Sequence, residues 1–464
     1  MAGPAAPQAA HDFAVAHYHA LIEADLASAE AQLAALVEAQ REHGVLFGDR
    51  IATRSLRPTL LTETTYQAVQ DACYQLRLGL ARILRAIEHD ERVLVEALGL
   101  REWELELVAL PSRLVDTSTL ARLDAFLTED GTDGGTGFRF VEVNGESPAG
   151  LGYLHELAQI YATLPVFQAF VARHPVRFVS PLENTVQMLL RAYHGEHGGT
   201  EEHPTFAIVD HLDVPTVHEF RLIQRYLERH GFACVLANPE ELEIVDGWVH
   251  AHGHRIHLLY KRLLVNEFWQ MRDRCPAFLE GYRAGKTCYV NSLKAKLAHK
   301  KASLALLTDP TYADLLTESE HEAVRRHVPW TRRFGEGRAT YAGTDVDLVA
   351  FIRQEQHRFV LKPNDEYGGK GVTLGFAASE AEWEAALEEG LRGNYVVQEV
   401  VDIHREPFLV KTGDGWGEVP TIIDLDPYLN GPTLGGCLTR TSVSNLANVT
   451  AGGGTLPMFV LRYA

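Results

Sequence analysis

The chain has 464 residues, 46% hydrophobic and 23% charged, a composition that suits a soluble globular protein of two or three domains. Its formal net charge of −19 argues against nucleic acid as the main partner, because phosphate backbones select basic surfaces. Five cysteines without a CxxC pair suggest neither a zinc site nor a disulfide framework. The opening stretch MAGPAAPQAAHDFAVAHYHALIEADL lacks a basic start followed by an apolar core, and no run approaches the ~18 apolar residues of a membrane span. A cytoplasmic, reduced protein is expected.

Residues 1–110 read as a helical region. Tyr66, Val69, Cys73, Leu76, Leu80, Ile83 and Ile87 recur by three and four, which predicts an amphipathic helix. The stretch SRLVDTSTLARLDAFL leads into TEDGTDGGTG, whose glycines predict a hairpin turn and not a phosphate loop, because no lysine follows. FRFVEVNGESPAG comes next. Its β-prone residues predict a strand ended by Pro148 and Gly150, and alternation puts Glu142 and Asn144 on one face as oxygen ligands for a hard cation such as Mg²⁺.

A second region spans 176–290. TFAIVD, TVHEFRLIQRYLERHG and FACVLA predict strand, helix and strand, a βαβ unit and hence a parallel sheet. His194, His197 and His203, with Glu196 and Glu201, fit a solvated polar loop better than a metal site. WVHAHGHRIHLLYKRL predicts a hairpin turning near Gly253, with His250 and His252 on an exposed face. Lys261 and Arg262, after that strand, suit an acidic substrate or a surface ion pair.

Residues 291–464 carry the chemistry. NSLKAKLAHKKASLALLTD predicts a lysine-rich helix, and HRFVLKP, NYVVQEVV, PFLVKTG and VPTIIDLDPYL predict strands. In FVLKPNDEYGGKGVTLG, Lys362 lies on a strand and offers a point charge to a phosphate, while Gly368, Gly369 and Gly371 let the backbone approach it closely. This is not a Walker loop, since no Ser or Thr follows Lys370. Gln398 and Glu399 end the next strand, where an adenine hinge would lie. Lys301 offers a second phosphate charge, and LTRTSVSNLANVTAGGGTLP places Arg440, Asn448 and three glycines near the end.

Taken together, these pieces resemble the ATP-grasp superfamily, in which a phosphate lysine, a strand lysine with glycine loop, an adenine hinge and Arg…Asn…Gly-Gly precede an Asp and a Glu-x-Asn metal motif. Here that last part stands at the front, as Arg122-Leu-Asp124 and Glu142-Val-Asn144-Gly-Glu-Ser-Pro148. The order looks like the circularly permuted branch that includes glutathionylspermidine synthetase, over about residues 115–464, though with no amidase part in front and a longer RLD…EVN spacing. The resemblance implies an α/β (α+β) protein: a circularly permuted ATP-grasp fold with a Rossmann-like domain and a helical N-terminal region. Residues 1–110 would be helical, 111–175 the metal-binding end of the core, 176–290 the βαβ domain, and 291–464 the ATP-binding remainder.

The activity implied is an ATP-dependent ligase joining a carboxylate to an amine through an acyl phosphate, with ATP and Mg²⁺ as cofactors. A small-molecule kinase and a non-catalytic nucleotide binder are the alternatives. Asp124, Glu142 and Asn144 would hold metal, and Arg122 and Arg440 would stabilise transferring charge. Lys301, Lys362, Gly368, Gly369, Gly371, Gln398, Glu399, Val400, Val401 and Glu406 would bind nucleotide, Glu406 through the ribose. Ser147, Lys261, Arg262, Asn448 and Gly453 would touch the substrates, a small-molecule carboxylate and an amine, of which amino acids, peptides and polyamines are examples. Two geometric expectations follow: Asp124 and Glu142 face Lys362 across one cleft, and the strand at 138–144 shares a sheet with the strands around 421–425, near Arg440 and Asn448.

Overall fold

In the computed structural model, which describes residues 7–116, 118–129, 137–413, 415–431, 433–443 and 454–462, the strongest periodic signal of the sequence forms the helix Glu63–Ile87. All seven residues that set its period are buried, and the Thr62 side chain caps it by accepting from the Thr65 N–H. Two further helices, Pro7–Glu23 and Leu26–His43, precede it. The region is not purely helical. Buried Thr59–Thr62 is a strand, paired in parallel with Met458–Leu461, which also pairs antiparallel with Val176–Phe178.

The βαβ expectation is met. Phe206–Val209 and Cys234–Ala237 flank the helix Val217–Arg229 and pair in parallel, and Leu258–Lys261 and Cys288–Val290 extend the sheet on the other side. Both faces are covered, as a parallel sheet requires: Phe206 and Ile208 pack into one cluster, Ala207 and Val209 into another. The segment at 248–263 is not one hairpin. Trp248–Ala251 pairs with His254–Arg255, but Leu258–Lys261 leaves for the parallel sheet, because its wholly buried side chains fill a two-sided core. His252 sits in the turn at φ 50°, so it does not share a strand face with His250.

A second sheet is antiparallel. Its strands run in the order Gly454–Leu456, Thr433–Ser442, Gly415–Asn430, Leu120–Thr128, Gly137–Asn144, and Arg405–Thr412 also pairs with Gly415–Asn430. The strand Leu120–Thr128 sits where the sequence suggests only a lead into a loop. It is buried along nearly its whole length and lies between two partners, so its side chains do not show a half-exposed alternation. Strands from near the front of the chain thus share a sheet with strands from its end, as expected for 138–144 and 421–425.

A third sheet has the order Thr331–Arg333, Tyr395–Glu399, Phe359–Pro363, Thr373–Leu374. The lysine-rich run before it is not one helix. It forms Ala295–His299 and Ala302–Thr308, broken at Lys300 with ψ 131°. Among the described residues, no helix is long and apolar enough to cross a membrane.

Candidate active site

Strand register builds the centre of the site. In an antiparallel ladder, residues directly opposite each other project on the same face. Arg122 lies opposite Asn144, and Asp124 opposite Glu142. The register then shifts, Ala125 pairing with Phe140, so Val141 is the extra residue of a bulge beside Glu142. On the neighbouring strands Asp424 lies opposite both Phe126 and Arg440, and Tyr428 opposite Arg122. One face of the sheet therefore carries Arg122, Asp124, Glu142, Asn144, Asp424, Asp426 and Arg440.

This face forms one wall of a cavity of about 1040 Å³. Lys301, Lys362, Gly368, Gly369, Gln398, Glu399, Val400 and Val401 line the same cavity, with Ser147 and Arg262. Residues more than 150 positions apart in sequence thus meet in one cleft. Lys301 Nζ donates to Glu142 Oε1 at 2.9 Å and to the Glu366 carbonyl at 2.5 Å. Lys362 Nζ donates to Gln398 Oε1 at 2.6 Å and reaches the carbonyl of the bulge residue Val141 at 3.5 Å. The glycine loop uses the backbone freedom of its glycines: Gly368, Gly369 and Gly371 all have positive φ, 67°, 77° and 70°. A Cβ at Gly371 would also meet Pro363 Cγ at 2.7 Å.

The cations and carboxylates are matched. Arg122 grips Asp124 with two bonds, Nε to Oδ1 at 2.7 Å and Nη2 to Oδ2 at 2.8 Å. Arg440 Nη2 touches three carboxylates, Asp124 Oδ2 at 2.9 Å, Asp426 Oδ2 at 3.0 Å, and Asp424. Burial works against ionisation of Asp124, but Arg122 and Arg440 hold its carboxyl below the usual range. Burial likewise opposes Glu142, and Lys301 outweighs it. Burial dominates at Asp424 and Asp426, and with the Asp124 charge it pushes both carboxyls up despite Arg440. The Lys362 ammonium is pushed down to about 8, chiefly by burial, with Glu142 resisting and Lys301 assisting.

A second buried network supports the first. Lys300 Nζ donates to Glu104 Oε1 at 2.6 Å and Asp365 Oδ2 at 2.9 Å, and Lys296 pairs with Asp365 at 2.6 Å and Glu146 at 3.3 Å. Asp365 stands at the root of the glycine loop, and Glu146 follows the Glu-x-Asn strand. The network ties both to the segment that carries Lys301. Asn291, at the end of the parallel sheet, donates to the carbonyls of Leu120, Gly145 and Glu146 and accepts from the Leu120 N–H.

Two sequence expectations need correction. Glu406 does not reach a ribose site. It pairs with buried Arg57 at 2.5 Å and His11 at 3.4 Å, because strand alternation turns its neighbour Arg405 to the cavity instead. Lys261 is neither a surface ion pair nor open to a substrate: it is wholly buried, donating to the Leu263 carbonyl at 3.0 Å and pairing with Glu146 at 3.4 Å. Arg262 does line the cavity but is held by the Pro148 carbonyl, Tyr260 and Glu219. Asn448 and Gly453 lie outside the described residues.

The sequence reading also passed over Asp424 and Asp426, although the Asp-x-Asp alternation in IIDLDPYL was a usable signal. It missed Asp210 and Glu267 too. Both line the cavity at the carboxyl ends of the parallel strands, next to Arg262. This is where the chain leaves Phe206–Val209 and Leu258–Lys261 in opposite directions across the sheet, the crevice in which open α/β sheets bind ligands. Burial raises the Asp210 carboxyl to about 6, against the pull of Arg262.

Comparison with a solved structure decides the fold. A glutathione synthetase-like effector from Globodera pallida, in its apo form, matches with a TM-score of 0.60 at 13% identity, over 93% of this chain and 96% of that one. The two share a fold. The expectation of a mixed helix-and-sheet, ATP-grasp-like architecture is met, and at this identity the likeness extends to fold alone. No family model matches the chain. An uncharacterized protein of Mycobacterium leprae is 25% identical over 340 residues, 70% of this chain and 56% of the relative. Another, of Mycobacterium tuberculosis, is 24% identical over 341 residues, 70% and 58%. The chain spans somewhat more than half the length of these relatives.

Proposed function

We propose that the protein is an ATP-dependent carboxylate–amine ligase of circularly permuted ATP-grasp type, forming an amide through an acyl phosphate and releasing ADP and phosphate. The observation that carries this reading is the convergence of the Asp124–Glu142–Asn144 set with Lys301 and Lys362 in one cavity. The fold shared with a glutathione synthetase-like protein supports it.

The donor set fits Mg²⁺. Asp124, Glu142 and Asn144 offer hard oxygens, and the buried oxygens Asp424 Oδ1 and Asp426 Oδ1 have no hydrogen-bond partner. The carboxylates and the cations Arg122, Arg440, Lys301 and Lys362 roughly balance, so a triphosphate brings negative charge that the side chains alone do not offset. Bound there, Mg²⁺ supplies charge neutralisation and fixes the orientation of the phosphates.

The chain's own residues do the rest. Lys301 and Lys362 hold phosphate oxygens, and Val400 and Val401 with the end of the Tyr395–Glu399 strand take the base. A substrate carboxylate attacks the γ-phosphorus, the bond to the β-phosphate oxygen breaks, and ADP leaves. The amine then attacks the acyl carbon and phosphate departs with its oxygen, while Arg440 stabilises the charge on the transferring group. The glycine loop at 368–371 closes as a lid, because an acyl phosphate must be kept from water. Asp210 and Glu267 suit the amine on the far side.

The test is ADP release with a panel of amino acids, peptides and polyamines, in the presence of hydroxylamine. A ligase yields ADP and a hydroxamate. ADP with a phosphorylated alcohol instead indicates a kinase, and AMP indicates adenylation.

A further inference from the structure

The N-terminal helical region carries no catalytic motif, yet it reaches the cavity. The helix Leu26–His43 ends at Gly44, in the left-handed region at φ 74°, and a tight hairpin follows, Leu46–Phe47 paired with Arg50–Ile51. Leu46, Phe47 and Ala52 line the cavity, as do Val214 and Pro215.

The hairpin is held in place. The Gly48 N–H donates to the Pro215 carbonyl at 3.1 Å, and the Ala52 carbonyl accepts from the Thr455 N–H at 2.8 Å. Buried Gln40 clamps the returning strand by bonding both backbone groups of Thr53, each at 2.9 Å. Leu46 and Phe47 themselves are only partly buried, so they are not core residues whose packing explains them. An apolar surface is therefore presented, on a fixed backbone, to the cavity that Asp210, Arg262 and Glu267 also line, and its anchor Pro215 lies in the segment that follows Asp210. A cavity that combines charged groups with an apolar wall selects an amphipathic ligand.

We propose that the 46–52 hairpin is the specificity wall of the amine substrate, which is an α-amino acid or terminal residue with an aliphatic or aromatic side chain seated against Leu46 and Phe47. The inference rests on the ligase reading for the role of that substrate. It assigns the N-terminal region to substrate choice.

The experiment measures binding, by calorimetry, of leucine, phenylalanine, glycine, aspartate and lysine to the full chain with Mg²⁺ and the non-hydrolysable analogue AMP-PNP. Leucine and phenylalanine are expected to bind at least about tenfold more tightly than glycine, the range that added methylenes give in an apolar pocket. Phe47→Asp weakens leucine by about tenfold or more and Phe47→Leu retains it, both with AMP-PNP affinity changed by less than about twofold. These partly exposed positions tolerate substitution, and unchanged AMP-PNP binding reports that the fold is intact. Equal affinity for glycine and leucine overturns the assignment, as does unchanged leucine binding in Phe47→Asp. Loss of AMP-PNP binding in the wild-type protein, with leucine still bound, sinks the ligase reading and leaves the pocket standing.

Discussion

Replacing Glu142 with Gln separates chemistry from stability, and its magnitude follows from the contacts. In the native protein Glu142 Oε1 accepts from Lys301 at 2.9 Å, and Lys301 has a second partner in the Glu366 carbonyl. Glutamine keeps an acceptor of the same shape, so Lys301 is not stranded. What is lost is the charge assistance of one hydrogen bond, about 1–2 kcal/mol. Part of that returns, because Glu142 and Asp124 lie opposite each other and repel. The net cost should be about 1 kcal/mol, a fall in melting temperature of a few degrees at most. Turnover, by contrast, should drop by about 10²-fold or more, since a neutral amide is a poor partner for Mg²⁺ and for the charge of transferring phosphate. The assay is ADP release at saturating Mg²⁺ beside a thermal melt of the same preparation. A folded variant with normal turnover would remove Glu142 from the metal set. Loss of the fold would make it a structural residue instead.

Nucleotide affinity should fall as pH rises through about 8, approaching tenfold per pH unit above it, because Lys362 has its ammonium at about 8 and a phosphate binds the protonated form. Affinity measured from pH 6.5 to 9.5 checks this, and Lys362→Met should flatten the profile. Glu406→Gln should cost about 3 kcal/mol of stability by leaving Arg57 buried without its charged partner. It should leave ATP affinity intact, and a clear loss of affinity would restore Glu406 to the nucleotide site. Asp365→Asn should loosen the root of the glycine loop, seen as faster limited proteolysis within 364–372, and should lower the melting temperature as well, because buried Lys296 and Lys300 lose a shared counter-charge. Equal cleavage rates in variant and wild type would refute the tether through Lys296 and Lys300.

What the sequence revealed depended on whether the signal was local. The helix Glu63–Ile87 and the βαβ unit were legible because each carries its own period. Glu142, Asn144 and Lys362 stand out in the sequence because their residue types mark a chemistry, and they line one cavity. The strand Leu120–Thr128 was not, since a strand buried between two partners shows no alternation. Glu406 looked free for a ribose because nothing near it in sequence announces Arg57, some 350 residues earlier. The lysines at 296 and 300 fall in a stretch that reads as one lysine-rich helix, and they are buried because Glu104, Glu146 and Asp365 arrive from three other segments. Asp426 shows the same limit. Its burial is a property of the sheet, not of the peptide around it.

The pairing of Thr59–Thr62 with Met458–Leu461 has a consequence for synthesis. A nascent chain leaving the ribosome presents Thr59–Thr62 hundreds of residues before its partner exists. The same delay holds for the paired strands Leu120–Thr128 and Gly137–Asn144, whose sheet waits for Gly415–Asn430. Until Arg440 emerges, Asp124 lacks one of its two arginine partners. Assembly therefore cannot proceed strictly from front to back, and the contacts that close the molecule carry a high loop-closure entropy. The growing chain must carry unpaired strand edges from Thr59–Thr62 until Met458–Leu461 emerges, the condition under which chaperones and slow elongation matter most.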